Sequence, residues 1–481
     1  MKKILLSITL IITFFVGAKS QKSVVKKDNR PNIVFILADD LGYGDIGING
    51  QKLIKTPNID RLAKQGVRFT QFYAGTSVCA PSRSALLSGQ HTGHTYIRGN
   101  KGVDPEGQAP IADSVLTVAE ILQKSGYQTV AFGKWGLGPV GSEGDPNKQG
   151  FDHFFGYNCQ SLAHRYYPNH LWDNGKKIVL EANENLTKNK EYAPDIIQNK
   201  ALDFVKNRDK NKPFFLFLPY ILPHAELIVP EDSIFLYYKG KFEEQPYKGK
   251  DYGVNANTTA YVSQAYPHAT FAAMVTRLDL YVGQILDKLK AEGLDNNTLV
   301  IFTSDNGPHR EGGADPLFFN SGGGFKGFKR DLYEGGIREP FIVRWTNTIQ
   351  PNSTNNHIGA FWDILPTFTD IAGVKSPKNI DGISFLSSLK GKGNQKTHDF
   401  LYWEFHENGG IQAVRQGIWK AVKLNAALDK NAEIELYDLS KDPQESKNIA
   451  KLFPEKAKEL GKLMTSSHTE SQLFPFDQNG K

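Results

Sequence analysis

Largely apolar runs recur along the chain up to about residue 375, separated by segments with helical spacing. Ile33 to Ala38 is continuous, the pattern of a strand whose sheet is covered on both faces. Tyr127 to Phe132, Phe214 to Tyr220, Leu299 to Thr303 and Phe341 to Trp345 also read as strands. Residues 56–66 read as a short helix, with Thr56 to cap it, Pro57 in the first turn and Gly66 to stop it. Asp113 to Lys124, residues 193–206 and Trp362 to Ala372 read as helices too, and Ala269 to Ala291 is the longest, with Phe271, Met274, Val275 and Leu278 on one face. The alternation predicts an α/β fold, a large mixed but mostly parallel sheet flanked by helices.

Beyond residue 375 the pattern changes. Residues 400–438 alternate apolar and polar positions (LYWEFH, IQAVRQ, WKAVKL, EIELYDL), as antiparallel strands do, with a helix near 453–464. The expected organisation is therefore a main domain over 28–374 and a smaller α+β domain over 375–481. Residues 225–266 are a polar, Tyr-rich excursion that reads as a lid or rim. Residues 150–192 carry Phe154, Phe155, Tyr157, His164, Tyr166, Tyr167 and Trp172, which suit sugar stacking or core packing equally well.

Composition narrows the class. With 481 residues, 40% hydrophobic and 22% charged, the chain can bury a sizeable core. Residues 1–20 read as a secretory signal: Lys2 and Lys3, the apolar run Ile4 to Val16, then small residues to Ser20. Cleavage after Ser20 implies a secreted or periplasmic protein, and the run is too short to predict stable membrane insertion. Removing Lys2, Lys3 and Lys19 takes the formal charge from +6 to +3, which makes no case for nucleic acid. Of the two cysteines, Cys79 lies in a motif and Cys159 reads as a small buried side chain.

The candidate chemistry collects at strand ends. Asp39-Asp40 closes the first apolar run and Asp305-Asn306 closes a later one, an oxygen-donor set suited to Ca²⁺ or Mg²⁺; a helix cap or turn, with Gly42 and Gly44 close by, is the alternative for Asp39-Asp40. Lys134 and His224 follow two other strands. Residues 324–340 (GFKGFKRDLYEGGIREP) combine glycines with Lys326, Lys329 and Arg330. In SVCAPSRSALLSG, residues 77–89, Cys79, Pro81 and Arg83 are spaced Cys-x-Pro-x-Arg, and Ser82 to Leu87 reads as the start of a helix behind the cysteine. His91, His94 and Arg98 follow in HTGHTYIRGN, as a substrate-binding loop or as surface polar residues.

These motifs, with ADDLGYGD, TPNIDRLAKQGVRFT, GKWGLG, SDNG and ELYDLSKDPQE, resemble the formylglycine-dependent type I sulfatases over nearly the whole chain. The resemblance implies an alkaline-phosphatase-like fold, a catalytic domain over 28–374, and conversion of Cys79 to formylglycine (3-oxoalanine) by a maturation enzyme. It implies that Asp39, Asp40, Asp305 and Asn306, with the modified Cys79, bind one Ca²⁺, Mg²⁺ being the poorer fit. It assigns Arg83 to the nucleophile, Lys134 and Lys329 to sulfate oxygens, and His224 to protonation of the departing oxygen. One departure is Gly136, where many members carry histidine; His91, His94 and His309 are candidates for that role or for substrate contacts. The implied function is hydrolysis of a sulfate ester on a carbohydrate. A phosphonate or phosphodiester hydrolase and a non-catalytic sulfated-glycan-binding relative are the alternatives.

Overall fold

The computed structural model describes residues 28–183, 188–250 and 261–476; the expected signal segment lies outside them. Ten strands form one sheet: β1 (Asn32–Ala38), β2 (Val67–Tyr73), β3 (Gln128–Lys134), β4 (His153–Tyr157), β5 (His170–Asp173), β6 (Lys176–Val179), β7 (Phe214–Pro219), β8 (Thr298–Ser304), β9 (Phe341–Trp345) and β10 (Ser353–Ala360), in the order β10-β2-β9-β8-β1-β7-β3-β4-β5-β6. Its centre, β8-β1-β7-β3-β4, is all parallel. β9 runs antiparallel to β2 and β8, and β5 and β6 are antiparallel additions at the far edge. The sheet is mixed and mostly parallel, as the apolar pattern predicts.

Both faces are buried, which is why the runs read as largely apolar. Val34, Ile36, Leu216, Leu218 and Phe302 pack under the helices Ala193–Asn207 and Pro267–Ala291. Ile33, Phe35, Phe217 and Ile301 face the other way, toward the helices Val118–Lys124 and Ile364–Ala372. Successive strand residues alternate faces, so a two-sided core demands apolar side chains at every position.

Local chemistry shifts some expected boundaries. The helix expected from Asp113 begins at Val118, because Thr117 accepts from the Glu120 N–H and the Glu120 carboxylate accepts from the Thr117 N–H. The expected rim at 225–266 contains a helix, Ser233–Tyr238, capped by Asp232, and Glu244 caps the Pro267–Ala291 helix through the N–H groups of His268 and Ala269. Phe154, Phe155, Tyr157, Tyr166 and Tyr167 are buried in the core, which removes them as sugar platforms; half-buried Trp172 donates its indole N–H to Glu106.

The smaller antiparallel sheet runs in chain order, β11 (Leu401–Phe405), β12 (Ile411–Gln416), β13 (Trp419–Lys423) and β14 (Ile434–Asp438), with the helix Pro454–Ser467 against it. It is joined to the large sheet by buried polar contacts: Lys420 Nζ lies 3.0 Å from Glu334 Oε1, and the Trp403 indole donates to the Ala74 carbonyl at 3.0 Å. Among the described residues no helix is long and apolar enough to cross a membrane.

Candidate active site

Parallel strands all present their C-terminal ends to one edge, and in open α/β sheets ligands bind there. β1 delivers Asp39 and Asp40, β8 delivers Asp305 and Asn306, β3 ends on Lys134, and the turn after β7 delivers His224. Asp40 adopts a φ of +63°, rare for a residue with a side chain, which costs the backbone energy and turns the chain sharply after Asp39. The helix Cys79–Ser88 starts at Cys79 itself rather than at Ser82, so its N-terminus, and its dipole, sit at the thiol.

The side chains from these elements interlock. Cys79 Sγ donates to Asp39 Oδ1 at 3.3 Å, and Lys134 Nζ lies 2.6 Å from Asp39 Oδ2. Arg83 places Nε and Nη2 on Asp305 Oδ2 at 3.0 and 2.8 Å, and its Nη1 donates to the Lys134 carbonyl at 2.6 Å. Lys329 Nζ donates to Asp40 Oδ2 at 2.8 Å and to His224 Nε2 at 3.0 Å. The Nδ1 of His224 faces the Ala225 carbonyl, an acceptor, so it carries the proton and leaves Nε2 to accept from Lys329. All of these residues are buried.

Burial opposes every charge here, and neighbours decide the outcome. For Asp39 the burial penalty is outweighed by the Lys134 ammonium, with Arg83 and Lys329 adding to it, and its carboxyl falls well below the usual range. Burial and the charge of Asp39 push Asp305 up. Burial, then Asp39, pushes the Cys79 thiol well above its ordinary value. Burial, then Lys329, pushes His224 well down, so its ring is neutral.

The donor set fits a hard cation. Ligand atoms of Asp39, Asp40, Cys79 and His224 lie within 4.8 Å of one another. Asn306 donates its amide N–H to Asp40 Oδ1 at 2.6 Å, and its own Oδ1 is buried without a partner. A buried carbonyl oxygen left unbonded is costly unless a donor or a cation takes it.

Other candidates lie elsewhere. His94 Nδ1 is 2.9 Å from Asp381, and His91 Nε2 faces the same carboxylate at 3.7 Å. Arg98 bonds the Thr95 carbonyl, Glu404 and Thr469. These three residues thus tie the segment after the Cys79 helix to the C-terminal elements; nearness in sequence to Cys79 does not carry them into its cluster. His309 rings against His224, centroids 5.7 Å apart, but both its nitrogens are engaged: Nε2 donates to the Pro223 carbonyl and Nδ1 accepts from the Glu311 N–H, each at 3.1 Å. It braces the His224 loop and has no nitrogen left to act as a base.

Two neighbours, Tyr261 and Glu311, are not singled out in the sequence, and a third, His164, figures only among the aromatics of residues 150–192. His164 stacks on His224, centroids 4.7 Å apart and planes at 11°, with Tyr261 5.6 Å beyond it. Glu311 lies 3.4 Å from Lys329 and 2.5 Å from Arg330, and accepts from the Tyr261 hydroxyl at 3.1 Å. Nothing in the local sequence distinguishes His164 from the buried aromatics around it, and Glu311 could have been noticed only as the acid following Asp305-Asn306.

Comparison with known proteins shows the family of the chain. Residues 31–374 match the sulfatase family, and residues 323–471 match the family described as N-sulphoglucosamine sulphohydrolase, C-terminal. An N-acetylgalactosamine-6-O-sulfatase of Bacteroides thetaiotaomicron is 30% identical, over 94% of this chain and 96% of its own. The crystal structure of Ps i-CgsB superposes with a TM-score of 0.76 at 27% identity, over 94% of this chain and 95% of that one. A protein solved with its substrate D-glucosamine-2-N,6-O-disulfate gives a TM-score of 0.70 at 26% identity, over 91% and 97%. The chain belongs to the sulfatase family, with its alkaline-phosphatase-like fold, and is a sulfuric ester hydrolase.

Proposed function

We propose that the protein is a secreted or periplasmic sulfatase that hydrolyses a sulfate ester on a sulfated carbohydrate, using a formylglycine made from Cys79 by a separate maturation enzyme. The observation that carries the reading is the Cys79 environment. Its thiol is buried, hydrogen-bonded to a carboxylate and pushed up in pKa, so unmodified it is a poor nucleophile in a site otherwise built for an anion. Once formed, the hydrated aldehyde supplies one hydroxyl to attack sulfur and a second to expel the sulfate.

Asp39, Asp40, Asp305 and Asn306, with the modified Cys79, would hold the cation, Ca²⁺ before Mg²⁺. When bound it supplies Lewis-acid stabilisation to a sulfate oxygen. The remaining work falls to the chain. Arg83, clamped by Asp305 and the Lys134 carbonyl, holds a fixed positive charge on the nucleophile's helix. Lys134 and Lys329 pair with Asp39 and Asp40; were a cation to hold those carboxylates, both ammonium groups would be free to donate to sulfate oxygens. His224 is held by its Nδ1–H with Nε2 accepting from Lys329, so Nε2 would protonate the departing sugar oxygen only after taking up a proton, for which the Lys329 ammonium is the adjacent donor.

The substrate class follows the chemistry named for the relatives, sulfated amino sugars above all. The test is sulfate release from a panel of sulfated mono- and oligosaccharides, with matched phosphate esters, using protein whose Cys79 peptide has been checked for formylglycine by mass spectrometry. Release from a sulfated sugar is expected. Release from phosphate esters alone, with conversion confirmed, would overturn the reading.

A further inference from the structure

Buried amide groups beside the site are left unused by the chemistry above. Gly136 follows Lys134 by two residues, and its N–H donates to the Asn158 carbonyl at 3.1 Å. Tyr157, just before Asn158, is the partner of Lys134 in the β3–β4 ladder, so both segments leave the sheet at the edge that carries the carboxylates. Gly136 has a φ of +78°, and a Cβ there would lie 3.0 Å from both Cγ and Nε2 of Gln160. The carboxamide of Gln160 therefore fills the space that a side chain at position 136 would take.

That carboxamide has no visible structural job. Gln160 is 6% exposed, and its Nε2 is buried without a hydrogen-bond partner. Asn158 is 1% exposed, and neither its Nδ2 nor its Oδ1 is bonded. Other buried amide donors are paired: Asn183 Nδ2 donates to the carbonyls of Pro168 and Glu191, and Gln198 Nε2 to the Tyr281 carbonyl and Gln284 Oε1. The backbone around Gln160 is pinned, its N–H donating to Gln108 Oε1 at 3.2 Å, so the fold holds the amide in place. Unpaired buried donors persist where a ligand completes them.

We propose that Gln160, with Asn158 beside it, contacts the oxyanion end of the substrate: its carboxamide stands where residue 136 would project and donates a hydrogen bond to a sulfate-ester oxygen. The proposal rests on the sulfatase reading and deepens it. An amide donor is neutral and does not titrate, so it contributes to charge stabilisation and takes no part in proton transfer.

Gln160→Met keeps the length and apolar stem and removes the donor. Parent and variant are compared in sulfate release, in calorimetric binding of inorganic sulfate, and in melting temperature, with Cys79 conversion confirmed in both. The expected result is a fall in kcat/KM on the order of tenfold to a hundredfold, a matching loss of sulfate affinity, and an unchanged or higher melting temperature. Values of kcat/KM and sulfate affinity within about twofold of the parent would overturn the assignment. So would a loss of activity that tracks a lower melting temperature while sulfate affinity is untouched. A parent that converts Cys79 yet releases no sulfate would count against the sulfatase reading, and the binding comparison would still decide the role of Gln160.

Discussion

Two buried carboxylate clusters in this molecule have similar composition and opposite character. Around Glu404 every oxygen is spoken for: Oε1 takes Arg98 at 3.3 Å and His406 at 2.9 Å, and Oε2 takes Tyr402 at 2.7 Å and His468 at 2.8 Å. Burial would raise its pKa, but the hydrogen bonds from His406 and His468 bring it down to about 2. Around Asp39, Asp40 and Asp305 each carboxylate is paired with its own cation, Lys134, Lys329 or Arg83, but Asn306 Oδ1 is unbonded and the backbone at Asp40 is strained. The first cluster is closed and holds the C-terminal segment down. The second is open at one point, the buried Asn306 Oδ1 that nothing bonds. One unsatisfied buried acceptor, more than burial or charge count, marks the difference between the two.

The sharpest way to break that contrast is to delete the group at the centre of the open cluster. Cys79→Ala should lower sulfate release by at least about 10⁴-fold while leaving far-ultraviolet circular dichroism and melting temperature near those of the parent. A variant that turns over normally would remove Cys79 from the chemistry. The closed cluster should answer in the opposite way. Glu404→Ala leaves Arg98 buried without its carboxylate, and should cost about 3–5 kcal/mol in denaturant unfolding, with turnover per folded molecule little changed.

A smaller effect tests the openness itself. A chelator should lower both turnover and melting temperature, Ca²⁺ should restore them, and Asn306→Ala should weaken Ca²⁺ binding by about ten- to a hundredfold in a calorimetric titration. Glu404→Ala should leave Ca²⁺ affinity alone. Equal effects from the two variants would mean that the clusters do not differ as described.

The smallest effect concerns pH. The hydrogen bond to Glu404 raises the pKa of His468 against the penalty of burial. A raised histidine stabilises the fold fully below its unfolded pKa, about 6.5, and the contribution is lost as pH climbs through the higher folded value. Glu404, held down, stabilises above its unfolded value near 4.3 and loses that contribution as pH falls toward 2. The melting temperature should therefore decline modestly as pH rises above about 6.5, and His468→Gln should flatten the decline. An unchanged slope in that variant would place the titrating group elsewhere.

Much of this was legible in the chain. The parallel core strands were readable because burial on both faces leaves few polar positions to confuse the period. Asp39, Asp40, Lys134, His224, Asp305 and Asn306 were readable because parallel strands end on one edge, so a polar residue just past an apolar run is placed in space by its place in sequence. Short-range chemistry that competes with periodicity was misjudged by a few residues, as at Thr117, where the capping box sets the helix start.

What the sequence by itself determined is therefore the sheet, the polar edge at its strand ends and the Cys79 motif. Tertiary structure alone decided what each polar side chain faces. His91, His94 and Arg98 sit close to Cys79 along the chain yet pair with Asp381 and Glu404, roughly 300 residues away. His164, Tyr261 and Glu311 reach His224 and Lys329 from segments with no distinguishing pattern. Gln160 matters only because Gly136 leaves room for it. Periodicity encodes which face of an element is buried, and it carries no information about the partner a buried polar atom meets across the fold.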